Sequence, residues 1–461
     1  MRINDTIKYL KVGLQEDILK KKLYGDFKGA LRLIDRRLAD ENLPDSMRNS
    51  LIVQREIINR TPVEYPYTKQ EALSLVQEMV PDFTEEELDE KMDARNIRWT
   101  YIDGQIHIID DFLDTMLKAD TSFAARANKS LPGFESALNE EEKEDPRDRC
   151  IRIMKEKGSM TSRIRIRASV RLHDEHFQKG MFMRAHLPIP AASEQQSDIM
   201  IEKIYPENGI VAPEDSICRT ICWEEYMEEN HEFYVEYSYI HKAVYHDTEK
   251  MLAYLEQPTF YTEEEAPHIM FTPYIRHLAA SLTEEISDPL EKARKFYDFI
   301  TLNMKYTFMP PYFLLEDIAE NCAKSYTGDC GVFALLFITL CRCAGIPARW
   351  QSGLAAEPDF CGCHDWVQFY IAPYGWLYAD ASYGGSATRL HKEDRRKFYF
   401  GNLEPYRMVA NHAFQAEFTI PKDHWRADPY DNQSGEMETS NRGFTFRDYE
   451  HTKEILSHEE L

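Results

Sequence analysis

The sequence predicts an α+β protein in three parts: a helical N-terminal region, a β-sandwich and a C-terminal α+β core. Three patterns support this division. Apolar residues recur at helical spacing over residues 1–125, alternate with period two over 160–247, and run nearly without a break from Val332 to Leu340 before two short strand patterns. The chain has 461 residues, 43% of them hydrophobic, which suits a globular protein of about three domains.

Charge and hydropathy exclude several classes of function. The 55 basic and 79 acidic side chains give a net charge of −24, which argues against a nucleic-acid partner because phosphate binding needs a basic face. No run approaches the ~20 apolar residues of a membrane span, and the first residues lack the apolar segment of an export signal. We therefore expect a cytoplasmic protein without membrane contact, whose nine cysteines are reduced.

The helical N-terminal region, residues 1–125, contains two small units. Asp26 is placed to cap one helix and a second follows Pro44, which predicts an antiparallel pair. Further on, Thr84 begins another helix with a capping box, and Asp103-Gly104 joins two strand patterns into a hairpin. The helix–helix–hairpin order fits a winged-helix shape, but its second helix is acidic, so a scaffold or a surface for a protein partner is the favoured interpretation.

Residues 126–150 are predicted to be an acidic linker, because periodicity is lost and the segment 139–146 is strongly charged. Residues 151–265 are predicted to form the β-sandwich. Within it Arg163, Arg165 and Arg167 share one strand face, which we expect to be solvated and paired with acidic residues. The core follows at 266–415, and 416–461 is a C-terminal extension whose tail from Asp448 is expected to form a short surface helix.

Cys330 is the candidate nucleophile. Gly328 and Asp329 lie where the apolar run should begin as a buried helix, and this places Cys330 in the first turn. The unpaired amides and the helix dipole at that end favour the thiolate over the thiol. A nucleophilic cysteine needs that state.

His364 and Asp380 lie on two strand patterns joined by a turn at 373–375. A hairpin centred near residue 372 would place residue 364 opposite residue 380, and opposed side chains on one face lie about 5 Å apart at Cβ. A carboxylate that binds one ring nitrogen of a histidine fixes its tautomer and makes the other nitrogen more basic. The pair could therefore serve Cys330.

These segments, in this order, resemble the transglutaminase-like core of papain-related thiol enzymes. The matching residues are Gly328-Asp329-Cys330, Arg342 to Arg349, His364 to Val367 and Gly375 to Asp380. The resemblance covers about residues 285–385 and, more loosely, the sandwich before them, which resembles the domain that often precedes this core in bacterial members. It implies that Cys330 is the nucleophile, His364 the base and Asp380 the orienting carboxylate.

The residues and the resemblance together predict hydrolysis of an amide bond in a protein or peptide through an acyl-enzyme. Two alternatives stay open. One is acyl transfer from glutamine to an amine, or deamidation; the other is a non-catalytic binding or assembly protein that keeps the triad by descent. No cofactor is required by this chemistry. Tyr306 could line the acyl site or support the oxyanion, although a tyrosine at such a position more often serves packing.

Cys361 and Cys363 flank a glycine immediately before His364. The one-residue spacing, repeated in Cys341 and Cys343, is shorter than the two to four residues of structural zinc sites, which argues against a metal. A regulatory disulfide between Cys361 or Cys363 and Cys330 is a second alternative. The favoured interpretation is a pair of reduced loop thiols with ordinary pKa values.

Overall fold

The computed structural model describes residues 2–129 and 144–461, which divide into two compact units. The first unit comprises the described residues of Met1–Glu141 together with Glu265–Met270 and Met304–Val332. The second unit comprises the described residues of Glu142–Glu264 together with Phe271–Asn303 and Phe333–Leu461. Residues 130–143, the middle of the predicted linker, lie outside the described residues.

Helices and strands alternate along the described chain in the mixed pattern of an α+β protein, as predicted. The α-helices are α1 Glu16–Tyr24, α2 Phe27–Leu38, α3 Asp45–Glu64, α4 Lys69–Met79, α5 Glu85–Asp93, α6 Phe112–Ala119, α7 Thr121–Ala127, α8 Pro146–Lys157, α9 Pro273–Leu282, α10 Pro289–Asn303, α11 Ile318–Ser325, α12 Cys330–Cys343, α13 Ala381–Arg389 and α14 Glu393–Phe398. Short 3-10 helices cover Ile3–Val12, Asp174–His176 and Tyr312–Leu314.

The strands fall into small sheets in the first unit and longer ones in the second. They are β1 Tyr67–Thr68, β2 Trp99–Ile102, β3 Gln105–Ile108, β4 Ser159–Leu172, β5 Met181–Pro188, β6 Gln196–Tyr205, β7 Ile210–Val211, β8 Thr220–Met227, β9 Phe233–Val244, β10 Lys305–Tyr306, β11 Thr327–Gly328, β12 Ala348–Glu357, β13 Phe360–Ile371, β14 Gly375–Ala379, β15 Phe400–Gly401, β16 Arg407–Asn411, β17 Glu436–Glu438 and β18 Tyr449–Glu460. Within the described residues, no helix combines the length and apolar character needed to cross a bilayer.

The two helices of the predicted N-terminal pair are present as α2 and α3. Asp26 caps α2, because its Oδ1 accepts a hydrogen bond from the Gly29 amide at 2.8 Å. Ile34 of α2 and Leu51 of α3 belong to one buried core with Ile18 of α1. Burial of these apolar faces stabilises the helices beyond their intrinsic propensity.

The predicted helix–helix–hairpin unit is also confirmed. Thr84 forms the capping box of α5, and β2 and β3 pair as an antiparallel hairpin. Asp103 and Gly104 in its turn both have positive φ, 49° and 75°, as a type I′ turn requires. The hairpin and β1 form a three-stranded sheet in the order β1-β3-β2.

Two four-stranded sheets of the second unit form the predicted β-sandwich, with strand orders β18-β4-β9-β6 and β17-β5-β8-β7. Ile164, Trp223 and Tyr237 from the two sheets share one buried core. The solvated arginine face is present as expected. Arg163 lies 3.5 Å from Glu459, Arg165 lies 2.7 Å from Glu236, and Arg167 lies 2.5 Å from Glu232.

The expected surface helix from Asp448 is wrong, because residues Tyr449–Glu460 form β18. This strand pairs antiparallel with β4 along most of its length and lies at the edge of its sheet. An edge strand with a charged outer face lacks the apolar alternation that marks a strand in sequence. The C-terminal β17 and β18 therefore complete both sheets of the sandwich.

A five-stranded sheet in the order β15-β14-β13-β12-β16 carries the remainder of the second unit. Its strands pair antiparallel throughout. The boundary between the units falls after Val332, inside α12. In the second-unit part of this buried helix, Phe337 packs edge-on against Phe369 of β13 with ring centroids 5.6 Å apart.

Candidate active site

The structure brings His364 and Asp380 together, with His364 Nε2 2.7 Å from Asp380 Oδ2. His364 lies on β13, and Asp380 directly follows β14 as the N-cap of α13, where its Oδ1 accepts from the Tyr383 amide at 2.9 Å. The two oxygens of Asp380 thus have separate tasks, since one caps a helix and the other holds the imidazole. Because the contact engages Nε2, Nδ1 is the nitrogen left for proton transfer.

The predicted contact is present, but the register from which it was predicted is wrong. Val367 pairs with Ala379 and Phe369 with Leu377, so the hairpin is centred on residue 373 rather than 372. Continuing this register would place residue 366, not His364, opposite Asp380. His364 instead reaches Asp380 diagonally, because side chains two positions apart on a strand share a face and remain within reach.

Arg407, which sequence reasoning missed, completes the environment of Asp380. Its Nη1 donates to Asp380 Oδ2 at 2.9 Å, and its Nε and Nη2 donate to the two carboxylate oxygens of Glu404 at 2.8 and 3.1 Å. The side chains of Asp380, Arg407 and Glu404 have no exposed surface. Buried charges are retained in such a setting when each has an opposite partner and its hydrogen bonds are made.

Burial and these partners set the protonation states. Burial lowers the pKa of His364 below its ordinary value, although the Asp380 carboxylate opposes this shift. Burial alone would raise the pKa of Asp380, but His364 and Arg407 outweigh it and hold that pKa at about 2. At neutral pH the pair is therefore a neutral imidazole beside a carboxylate. Its Nε2–H donates to Asp380, and Nδ1 keeps a lone pair that can accept a proton.

Cys330 is the first residue of α12, as predicted. It belongs to the first unit. Asp329 caps this helix, since its Oδ1 accepts from the Val332 amide at 3.1 Å and from the Tyr312 hydroxyl at 2.8 Å. Burial raises the pKa of Asp329 to about 6. The Cys330 side chain is half-buried, and it lies at the helix end whose amides and dipole favour a thiolate.

Comparison with known proteins identifies the segment that holds these residues. Residues 276–381 match the family model of the transglutaminase-like superfamily. This segment is similar to a transglutaminase-like core. It includes Cys330, His364 and Asp380, the three residues that the sequence resemblance singled out. No curated protein sequence is significantly similar to the chain.

Two solved structures are similar to part of this chain. A proposed cysteine protease from Cytophaga hutchinsonii is 15% identical over 65% of this chain and 91% of its own, with a TM-score of 0.40. The periplasmic domain of TgpA from Pseudomonas aeruginosa is 16% identical over 51% of this chain and 92% of its own, with a TM-score of 0.26.

Aromatic and charged neighbours fix the His364 imidazole. The Tyr383 ring lies 4.5 Å from the His364 ring, centroid to centroid, and its hydroxyl donates to Glu357 at 2.8 Å. Arg147 binds the same Glu357 carboxylate through Nε and Nη2, the shorter contact being 2.9 Å. These contacts restrict the rotamers of His364 and Tyr383, which favours a single orientation of the base.

Tyr306 lies in the first unit beside the backbone that leads to Cys330. Its strand β10 pairs in parallel with β11, and Tyr306 is in register with Gly328, two residues before the cysteine. The ring is buried, and Lys118 Nζ lies 3.6 Å from its centroid, in cation–π contact. This is the environment of a packing residue; a role at the acyl site or the oxyanion stays a prediction.

The predicted loop position of Cys361 and Cys363 is wrong, because both residues lie on β13. Burial raises the pKa of Cys361 to about 12, whereas the Cys363 side chain is exposed. Burial also raises the pKa values of Cys341 and Cys343. In the part of the chain that the structure describes, no group of three or more His, Cys, Asp or Glu side chains is placed to hold a metal ion.

Proposed function

We propose that the protein hydrolyses an amide bond in a protein or peptide, with Cys330 as nucleophile, His364 as base and Asp380 as the carboxylate that orients the base. The 2.7 Å contact between His364 Nε2 and Asp380 Oδ2 carries this proposal, because it directs Nδ1 of a neutral imidazole to proton transfer. The match of residues 276–381 to the transglutaminase-like superfamily supports the same proposal.

In the first half of the proposed reaction, His364 Nδ1 takes the thiol proton of Cys330. The thiolate sulfur attacks the carbonyl carbon of the substrate and forms a tetrahedral oxyanion. The C–N bond then breaks, and the imidazolium returns its proton to the leaving amine. Asp380 stabilises the imidazolium during this step without becoming protonated. The product bound to the enzyme is a thioester on Cys330.

In the second half, water attacks the thioester while His364 Nδ1 accepts one of its protons. The C–S bond breaks, the carboxylic acid leaves, and the proton returns to the Cys330 sulfur. We propose that the backbone amide of Cys330 donates to the oxyanion in both halves, because it lies at the N-terminal end of α12, where the helix dipole favours negative charge.

The acceptor of the acyl group decides between hydrolysis and transfer. The proposed intermediate is the same for both reactions, so the two differ only in whether water or a primary amine enters. The carboxamide of glutamine as acyl donor with water as acceptor would give deamidation instead of chain cleavage. Mass spectrometry of a digest separates these outcomes.

The test incubates a mixed protein substrate with the full chain, with and without a primary amine, followed by peptide mass spectrometry. We expect new termini that are absent with the Cys330→Ala variant. An amine adduct at glutamine would show that the reaction is acyl transfer and not hydrolysis. A mass shift of about one dalton at glutamine would indicate deamidation. If natively folded parent protein produces none of these changes, the proposal is overturned in favour of a binding protein.

A further inference from the structure

The first unit contains a cavity of about 560 Å³ whose charge contrasts with that of the whole chain. Four cationic side chains line it, Lys22, Arg95, Arg98 and Lys324, against one carboxylate, Glu316. The chain as a whole carries a net charge of −24. A cavity lined mainly by positive side chains raises the local concentration of anions, because charges of one sign on its walls concentrate the electric field inside it.

Three of the four cations already have partners. Lys22 Nζ lies 2.6 Å from Glu316, and Lys324 forms an ion pair with Glu320. Arg95 Nη1 donates to the Ser325 carbonyl at 2.6 Å. The carboxylates offset the charges of Lys22 and Lys324, whereas the carbonyl bound by Arg95 is neutral. The charges of Arg95 and Arg98 therefore both stay available to a ligand, and Arg98 also has an unused donor.

Among residues 2–129 and 144–461 the buried Nε of Arg98 has no hydrogen-bond acceptor, and its charge acts on the Asp329 carboxyl, whose pKa it lowers. Its backbone is held in place, because its carbonyl accepts from the Ile109 amide at 3.1 Å. A buried donor without a partner lowers the stability of the folded protein. The planar guanidinium fork would recover this cost by binding a carboxylate through two parallel hydrogen bonds.

The cavity lies at the end of α12 that carries Cys330. Thr327 and Val332 line it and bracket the cysteine in sequence. Val332 is two residues further along the same helix, a rise of about 3 Å. Met309, Leu314 and Ile318 add apolar wall, which suits the methylene groups of a side chain that ends in a charge.

We propose that this cavity is a subsite for a glutamate side chain of a peptide substrate, with Arg98 as the partner of its carboxylate. The proposal rests on the proposed function, since it assumes that the ligand is a peptide presented to Cys330. The volume is within the ~300–1,000 Å³ of ordinary ligand sites. Glutamate fits better than aspartate because its longer stem places methylene groups against the apolar wall.

The test measures binding without turnover, using the full-length Cys330→Ala variant. Two fluorescein-labelled peptides of sequence Ala-Leu-Glu-Leu-Ala and Ala-Leu-Gln-Leu-Ala are titrated by fluorescence polarisation. We expect the glutamate peptide to bind at least about tenfold more tightly, since its carboxylate forms a charge-assisted hydrogen bond with Arg98 that the glutamine amide cannot form. Adding Arg98→Gln should abolish the preference, and Arg98→Lys, which keeps the charge but not the fork, should retain part of it.

Arg126→Gln is the matched control, because it removes the same charge from the same unit. Arg126 lies on α7, pairs with Glu87 and does not line the cavity. Equal affinity for the two peptides, no binding of either, or a preference that survives Arg98→Gln in folded protein would overturn the subsite. Inorganic sulfate could also compete as effectively as free glutamate. That result would show a general anion site and would overturn the glutamate subsite as well.

Failure of the subsite and failure of the proposed function are distinguishable. Peptide bond cleavage by the parent protein without preference for glutamate would remove the subsite and leave the enzyme. The Cys330→Ala variant could instead bind the glutamate peptide selectively while the parent protein turns over no substrate. That result would keep the subsite and remove the proposed enzymatic function.

Discussion

One carboxylate oxygen of Asp380 caps α13 and the other binds His364. Substitution of Asp380 should therefore affect turnover differently from substitution of His364. His364→Ala removes the proposed proton carrier, whereas Asp380→Ala leaves the imidazole in place without the carboxylate proposed to orient it. We expect both variants to lose most turnover, by about 10²–10⁴-fold, with higher residual activity for Asp380→Ala. Rates per folded molecule, corrected by circular dichroism, make the comparison. Parental activity of Asp380→Ala would refute the orienting role.

Arg407 is expected to stabilise the fold through Asp380 and Glu404 together. Arg407→Met leaves two buried carboxylates with one cation fewer, and should lower the free energy of unfolding by about 3–5 kcal/mol. Adding Glu404→Gln removes one uncompensated charge, so the double variant should recover part of the loss. Urea unfolding of the two single variants and the double variant measures this coupling. Strictly additive losses would show that the side chains act independently.

The three proposed reacting residues could be found from local sequence, whereas Arg407 could not. Cys330 lies at the start of an apolar helix pattern, and His364 and Asp380 lie on strands joined by a short turn, so near neighbours in sequence determine their placement. Arg407 reaches Asp380 from β16, which pairs with β12 across more than fifty residues. Such a non-local pairing has no signature in a single sequence.

At the scale of elements, the cap of α12 links the protonation of Asp329 to stability. Its pKa of about 6 lies above the ordinary value, so between pH 4 and 6 the folded state binds a proton that the unfolded state has lost. Stability contributed by this group therefore falls as pH rises through that window. Asp329→Asn keeps an acceptor for the cap and removes the titration.

The expected result is a difference between the parent and Asp329→Asn. From pH 4 to pH 6, the parent should lose about 2 kcal/mol relative to the variant, because one pKa unit corresponds to about 1.4 kcal/mol and the ends of this window are only partly titrated. Urea unfolding at a series of pH values measures both curves, so that the other carboxylates cancel. Parallel curves would show that Asp329 titrates normally in the folded protein.

The β13–β14 hairpin shows how far an element can be predicted. Its existence and the proximity of His364 and Asp380 followed from strand patterns and a turn, but its centre was displaced by one residue. Tyr374 N donates to the Ile371 carbonyl at 2.7 Å, and Gly375 begins β14 with a φ of 91°. The backbone of that turn sets the register, and turn geometry is only partly encoded in residue type.

At the scale of the whole molecule, the sandwich depends on the last strand of the chain. β18 covers the edge of β4, and Tyr449 belongs to the core shared by both sheets. Deletion of residues 448–461 should lower the melting temperature by more than about 5 °C and promote aggregation through the uncovered edge. Thermal unfolding and light scattering measure both effects, with deletion of Leu461 alone as the control. An unchanged melting temperature would contradict the structural role of β18.

The same strand marks the limit of prediction for the fold. Three regions, the N-terminal helices, the hairpin at Asp103-Gly104 and the sandwich strands around Arg163, could be predicted because caps, turn residues and period-two alternation are local signals. β18 could not, since its outer side chains are solvated and its pairing partner lies almost 300 residues earlier. The sequence patterns thus identify the elements, and long-range pairing decides which of them share a sheet.

The central claim, that Cys330 is an activated nucleophile served by His364, can be tested without a known substrate. Substoichiometric iodoacetamide at about pH 6 labels thiols according to thiolate fraction and access, and peptide mapping identifies the first site. We predict that Cys330 is labelled first, that His364→Ala slows this labelling, and that His173→Ala, a histidine change elsewhere in the second unit, does not. Labelling of Cys363 first, with Cys330 untouched in natively folded protein, would contradict the claim and favour a binding protein.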